Sequence, residues 1–318
     1  MPYDHYETAG PLFVRMAGAP RTRYLPTGET DPLAHIRRLA ADPLLREAVG
    51  VASGSLADAL DRLDAGAEPG PGDLTRTALS LTRYALRHSG RPTPFGLFAG
   101  VAVARTGPAR VKFTGPGRKS ARVDGAWLEG RVRRWLTDPE VRQRISVAVN
   151  DLCRVRGDRL LLPAERGDVS VRRNALVDWA REAAAAPVPY GELLAKAAAT
   201  FPDVPAERVD GALAQLLRHG FLLASLGEPD VDGRTLDRVE EAVAPLPDAV
   251  AELRGVRAAL AAYERTDPGA GGPAWRAAVA AVAPDGPAGP RRSRSTWERP
   301  PTSACPRPSP RRSGGTPP

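Results

Sequence analysis

Arg87, Arg91 and Thr93 crowd into seven residues that also hold Pro92. A guanidinium grips a carboxylate or phosphate through two parallel hydrogen bonds, and a threonine hydroxyl can donate a third. The chemistry on offer is therefore the holding of an anion. Backbone rules give the segment its shape. Arg91 precedes a proline and is pushed out of the helical region. Gly90 suits the left-handed position past a helix end. Pro92 and Pro94 fix their own φ, and Gly96 opens a conformation closed to other residues. The expected result is a stiff corner holding Arg87, Arg91 and Thr93 near one another. On residue type alone each has a plainer reading. Arg83 and Arg87 lie near a helix C-terminus, where cations are favoured, and Thr93 could simply brace the turn.

The elements that must position this corner are legible around it. Residues 11–17 read as a strand, and Asp31 can cap a helix carrying Leu33, Ile36 and Leu39. A short helix follows Asp42-Pro43. Ser53 or Ser55 caps the next, which carries Leu56, Leu60 and Leu63. Asp73 opens a long helix with Leu74, Ala78, Leu81 and Ala85 inward, ending at the corner. Strands are expected at about 96–105 and 109–114, then an amphipathic helix over 125–136 that Asp124 could cap. Short strands at 145–149 and 152–155 lead to a tight turn at Arg156-Gly157-Asp158 and on to Leu160-Leu161-Leu162. Helices over about 173–186, 189–200 and 205–219 and a strand at Phe221-Leu222-Leu223 complete a winged-helix layout. Such a layout serves DNA more often than peptide, but its third helix, residues 207–219, lacks the cationic outer face of a DNA reader. Further helices run through Leu253, Val256, Leu260 and Tyr263 and from Trp275 to Val282.

Composition narrows the function. Cys153 and Cys305 stand far apart, and His5, His35, His88 and His219 are scattered, so no metal site or disulfide framework is indicated. No stretch reaches bilayer-spanning length and no signal pattern opens the chain, which points to the cytoplasm. The net charge is +8, but seven arginines after residue 290 against Asp285 and Glu298 place +5 of it in the tail. That tail, 284–318, is rich in Pro, Arg, Ser and Gly and reads as disordered. A slipped reading frame would explain it as well, and is the explanation we favour.

Arg91-Pro92-Thr93-Pro94-Phe95-Gly96-Leu97-Phe98-Ala99-Gly100-Val101 resembles the signature near the start of lantibiotic (class I lanthipeptide) dehydratases. Leu12-Phe13-Val14-Arg15 resembles the family's opening strand, Ala52-Ser53 its early helix start, and Arg122-Val123-Asp124-Gly125-Ala126-Trp127-Leu128 its R-x-D-x-x-W-L element. Order and spacing agree from about residue 10 to about 280. The resemblance implies an α+β fold of mixed sheet and helices in four parts. Residues 1–144 would begin a glutamylation domain, 145–226 would be a winged-helix-like leader-peptide-binding module, 227–283 a helical continuation, and 284–318 the tail.

The implied activity is transfer of glutamate from glutamyl-tRNA, a co-substrate, to Ser or Thr of a ribosomally made precursor peptide. Elimination to dehydroamino acids would follow, in machinery beyond this chain. No cofactor is implied, because the acyl group arrives activated. Arg87 and Arg91 match positions that would hold anionic groups, Thr93 a hydrogen-bond donor, Arg15 a contact to tRNA or glutamate. Asp124 would orient an arginine or the substrate hydroxyl. The leader would pair with a strand edge and meet Leu160, Leu161, Leu162, Leu213, Leu216 and Leu217. Further partners implied are a cyclase and an exporter of the same pathway, and a second copy in a homodimer; no specific DNA is expected. A non-catalytic leader-binding protein and a winged-helix DNA regulator remain the alternatives.

Overall fold

The structure, a computed structural model, describes residues 10, 12–93, 95–104, 117–164, 167–227 and 233–282. The expected strand at 109–114 and the tail lie outside these. In chain order the elements are β1 (Leu12–Ala17), α1 (Pro32–Ala40), α2 (Pro43–Ala52), α3 (Gly54–Asp64), α4 (Pro71–Gly90), a single 3-10 turn (Gly96–Phe98), β2 (Ala99–Ala104), α5 (Gly125–Trp135), α6 (Pro139–Arg142), β3 (Ser146–Val149), β4 (Arg154–Arg156), β5 (Arg159–Leu162), β6 (Val169–Arg172), α7 (Ala175–Ala183), β7 (Val188–Pro189), α8 (Tyr190–Thr200), α9 (Ala206–Arg218), β8 (Leu222–Ala224), a second 3-10 turn (Ser225–Gly227), α10 (Thr235–Ala242), α11 (Pro247–Glu264) and α12 (Gly272–Ala281). The fold is α+β. Three small sheets form, ordered β1-β2, β7-β3-β8 and β4-β5-β6, and every pairing among the described residues is antiparallel. No helix among the described residues is long and apolar enough to cross a membrane.

Two compact units divide the chain. Among the described residues, one draws on 10–41 and 51–104, the other on 42–50 and 117–282. In the first, α1 and α3 pack on α4. Asp31 accepts hydrogen bonds from the backbone of Leu33 and Ala34, and Ser53 from Leu56, so both caps act at the expected places. Burial falls on Ile36 and Leu39 of α1, Leu56 and Leu60 of α3, and Leu81 and Ala85 of α4. The spacing is that of one helical face turned inward. α4 begins earlier than Asp73, because Pro71 is tolerated at the first helical position.

The second unit has one continuous core running from Leu128 and Val132 of α5 through Val147, Leu193 and Leu213 to Leu253 of α11. Two polar clusters lie inside it. Arg142, 4% exposed, donates to Asp210 and to the carbonyls of Leu136 and Thr137, while the Tyr190 hydroxyl donates to Asp210 at 2.7 Å. α6, α8 and α9 are joined there. In the other cluster Lys119 donates to Glu47 at 2.8 Å, to Thr266 at 2.5 Å and to the carbonyl of Asp267 at 3.1 Å, and lies over the ring of Tyr263. The second Glu47 oxygen accepts from the Gly269 backbone. Both charged side chains are almost fully buried, at 4% and 1% exposure.

Burial raises the Tyr190 phenol above its ordinary value of 10.0, helped by its hydrogen bond to Asp210. It raises Tyr263 too, with the Glu47 charge adding. A raised folded value contributes stability that is complete below pH 10 and is lost as pH climbs past it. The urea midpoint is therefore expected to fall above pH 10, and Tyr190→Phe to flatten part of that fall.

Candidate functional site

At Arg91 and Gly96 the backbone is as the rules require, and at Gly90 it differs. Arg91 is extended (φ −123°, ψ 111°) and Gly96 takes φ +52°. Gly90, however, is the last helical residue and not a left-handed cap, so Arg91 makes the turn. Its N–H donates to the Arg87 carbonyl at 3.1 Å, closing the helix on the residue that matters most.

Arg87 is held from beneath. Its guanidinium lies 4.6 Å from the Phe95 ring centroid. Phe95 stacks toward Phe98, which is fully buried and stacks in turn on Tyr84. The edge of His88 meets Phe98 as well, and the His88 Nδ1 is hydrogen-bonded to the Tyr24 hydroxyl at 3.0 Å. A chain of rings thus runs from the buried Tyr24 to the guanidinium. The Arg87 Nε is buried yet donates to nothing among the described residues. A buried donor left without an acceptor costs about 1–3 kcal/mol. An incoming anion would recover that cost.

Among the described residues no carboxylate pairs with Arg15, Arg87 or Arg91 either. Arg91 and Thr93 are exposed. Arg15 is exposed on β1 opposite Val101 of β2. These four residues belong to the first unit and Asp124 to the second. Asp124 caps α5, its Oδ1 accepting from Ala126 at 2.9 Å and Trp127 at 3.2 Å.

Sequence reasoning missed Tyr24, His88 and Gly18. A Cβ at Gly18 would stand 2.5 Å from the imidazole of His88, which is 3% exposed and has nowhere to go. Gly18→Ala is expected to push His88 off Tyr24 and lower stability by about 1–3 kcal/mol, read as a fall in the urea midpoint. Only the closeness of two chain segments reveals this constraint, and no local pattern announces it.

The second unit carries a groove of about 1480 Å³ walled by α5, β3, β8 and α11. Of the six leucines expected to meet a peptide, Leu162 and Leu217 line it. Leu160, Leu162, Leu213, Leu216 and Leu217 are all buried and belong to the core, and Leu161 is half-buried. Leu223 of β8, which the sequence did not single out, lines the groove and is 49% exposed. Among the described residues β8 pairs with β3 alone, which leaves it a free edge. No cluster of His, Cys, Asp or Glu among the described residues could hold a metal.

Residues 41–293 match the family model described as lantibiotic dehydratase, N terminus. The chain belongs to that family. It is 27% identical over 208 residues to the subtilin biosynthesis protein SpaB of Bacillus subtilis, covering 63% of this chain and 20% of SpaB. Its fold matches the crystal structure of the tRNA-dependent lantibiotic dehydratase MibB from Microbispora with a TM-score of 0.71 and 33% identity, over 86% of this chain and 27% of MibB. The glutamylation domain of TbtB, from thiomuracin biosynthesis, shares the fold at a TM-score of 0.52 and 24% identity, over 78% of this chain and 31% of TbtB. The chain thus spans between a fifth and a third of the length of these relatives. The stretches that resemble the family's opening strand, signature and R-x-D element lie on β1, on the α4–β2 connection and at the start of α5.

Proposed function

We propose that the chain forms the N-terminal part of a glutamylation region, which takes glutamate from glutamyl-tRNA and esterifies Ser or Thr of a precursor peptide. The observation that carries this is the buried Arg87 Nε–H without an acceptor, stacked on Phe95 and free of any carboxylate among the described residues. The donor is an ester, so the step breaks the ester bond to the tRNA 3′ end and forms one to the peptide hydroxyl. The hydroxyl proton passes to the departing tRNA oxygen. This calls for cationic groups around the glutamate carboxylate and tRNA end, and for donors near the reacting oxygen. Arg87 and Arg91 hold the anionic groups, Thr93 donates a hydrogen bond, and Arg15 meets tRNA or glutamate.

Residues 145–226 are proposed as a winged-helix-like module that grips the leader of the precursor, working in the cytoplasm. A leader strand added to a free sheet edge uses backbone hydrogen bonds for affinity and side-chain pockets for selection. The groove beside β8, with Leu223 exposed in its wall, supports this part of the reading. The same groove also favours a second reading, a leader-binding protein with no transfer activity. A titration of the chain with synthetic leader peptides beside a glutamyl-transfer assay separates the two. Transfer dependent on the leader is the result expected, and leader binding with no transfer would select the adaptor. Leu223→Arg is expected to weaken leader binding at least tenfold without unfolding the chain, read by the same titration.

A further inference from the structure

The outer face of the β4-β5-β6 sheet carries four arginines. Register puts Arg156 opposite Arg159, and Arg159 opposite Arg172, so three guanidinium groups form one row across three strands. Arg154 stands two residues along on the same face, in the row completed by Leu161 and Ser170. All four arginines are exposed, while Leu160 and Leu162 are buried beneath the opposite face. Like charges placed directly opposite destabilise a sheet. A fold left to itself would interleave carboxylates here. Among the described residues only Asp158 does so, 3.6 Å from Arg172 with both side chains largely exposed. Arg159 reaches the Ser170 hydroxyl at 2.9 Å, and neither Arg154 nor Arg156 is paired with a carboxylate among the described residues. Repulsion tolerated in this arrangement points to an anionic partner.

We infer that this sheet face binds the phosphate backbone of helical RNA. Neighbouring strands lie about 4.8 Å apart, so the row presents three forked donors over about 10 Å, a span that reaches successive phosphates. No aromatic ring stands on the face to stack unpaired bases, which argues against a single strand. A leader peptide is selected through apolar pockets and strand edges, and this face offers only the half-buried Leu161 between its arginines. The inference rests on the proposed use of glutamyl-tRNA only for the identity of the RNA.

Binding of uncharged tRNA to the full chain, followed across 50–300 mM salt, tests it. Each neutralised phosphate contributes about 0.9 to the slope of log affinity against log salt. The triple variant Arg156→Ser, Arg159→Ser, Arg172→Ser is expected to lower that slope by about 2–3 and weaken binding at least tenfold at 100 mM salt. Its urea midpoint should stay the same or rise, because the removed charges repel one another. Leader-peptide affinity should not change. An unchanged salt slope would overturn the inference, as would a loss that falls equally on an acidic peptide. A chain that binds tRNA through this face yet transfers no glutamate would refute the transfer chemistry and leave the RNA face standing. Glutamate transfer by the triple variant at an unaltered rate would do the reverse.

Discussion

Lys119→Met, with Glu47 left in place, is expected to destabilise the second unit by about 3–5 kcal/mol, the usual cost of stranding one partner of a buried ion pair. Glu47 is 3% exposed and would lose its one cationic partner while keeping the Gly269 backbone donor. Water cannot reach the carboxylate to make up the loss. The double variant Glu47→Gln, Lys119→Met should recover more than half of the stability, since a neutral amide can still accept from Gly269. Urea midpoints of the two variants measure both effects. The cluster also pins the approach to α5. Ala121 donates to Glu264 at 2.8 Å in the same stretch, so residues 117–124 reach the Asp124 cap anchored at two points. Loss of the pair is thus expected to loosen the α5 start as well as the core.

Arg87→Ala is expected to slow glutamyl transfer by about 2–4 kcal/mol, on the order of thirty- to a thousandfold, because a charge-assisted donor to the bound anion is removed. The structural cost should be small. A guanidinium over a partly exposed ring contributes about 0.5–1 kcal/mol, so the midpoint should scarcely move while the rate collapses. Arg87→Lys separates charge from geometry. Lysine keeps the cation but loses the planar fork, and it has no counterpart of the buried Nε–H. An intermediate rate is expected, nearer to alanine than to wild type. Labelled glutamate passed from glutamyl-tRNA to a precursor peptide gives the rate.

Much of the fold can be read from local rules. Asp31, Ser53, Asp124 and Asn174 cap helices through contacts two or three residues away, which a sequence displays directly. Gly157 turns the β4–β5 hairpin at φ +60°, as the Arg-Gly-Asp turn foretells. The site is legible only in part. The corner's shape follows from prolines and Gly96, but the support for Arg87 comes from Tyr24, 64 residues from the His88 it meets. Lys119 finds Glu47 at a separation of 72 residues and Thr266 at 147. No periodicity encodes such meetings. The leucines show the converse: a leucine reads the same in a core as in a peptide pocket, and only packing reveals that Leu160, Leu213 and Leu216 face inward. The arginine row needs the register of three strands, and β6, at four residues, is too short for its alternation to stand out beforehand.

The most direct test asks whether the Arg87 Nε–H acquires a partner. Its nitrogen–proton resonance, assigned by its absence in Arg87→Lys, can be followed as glutamyl-tRNA is added to the chain. A large downfield shift and slowed exchange of that proton with solvent are expected at saturation, with both lost when uncharged RNA duplex replaces glutamyl-tRNA. An Nε–H that stays unmoved while glutamyl-tRNA is bound would contradict the claim that this corner receives the donor.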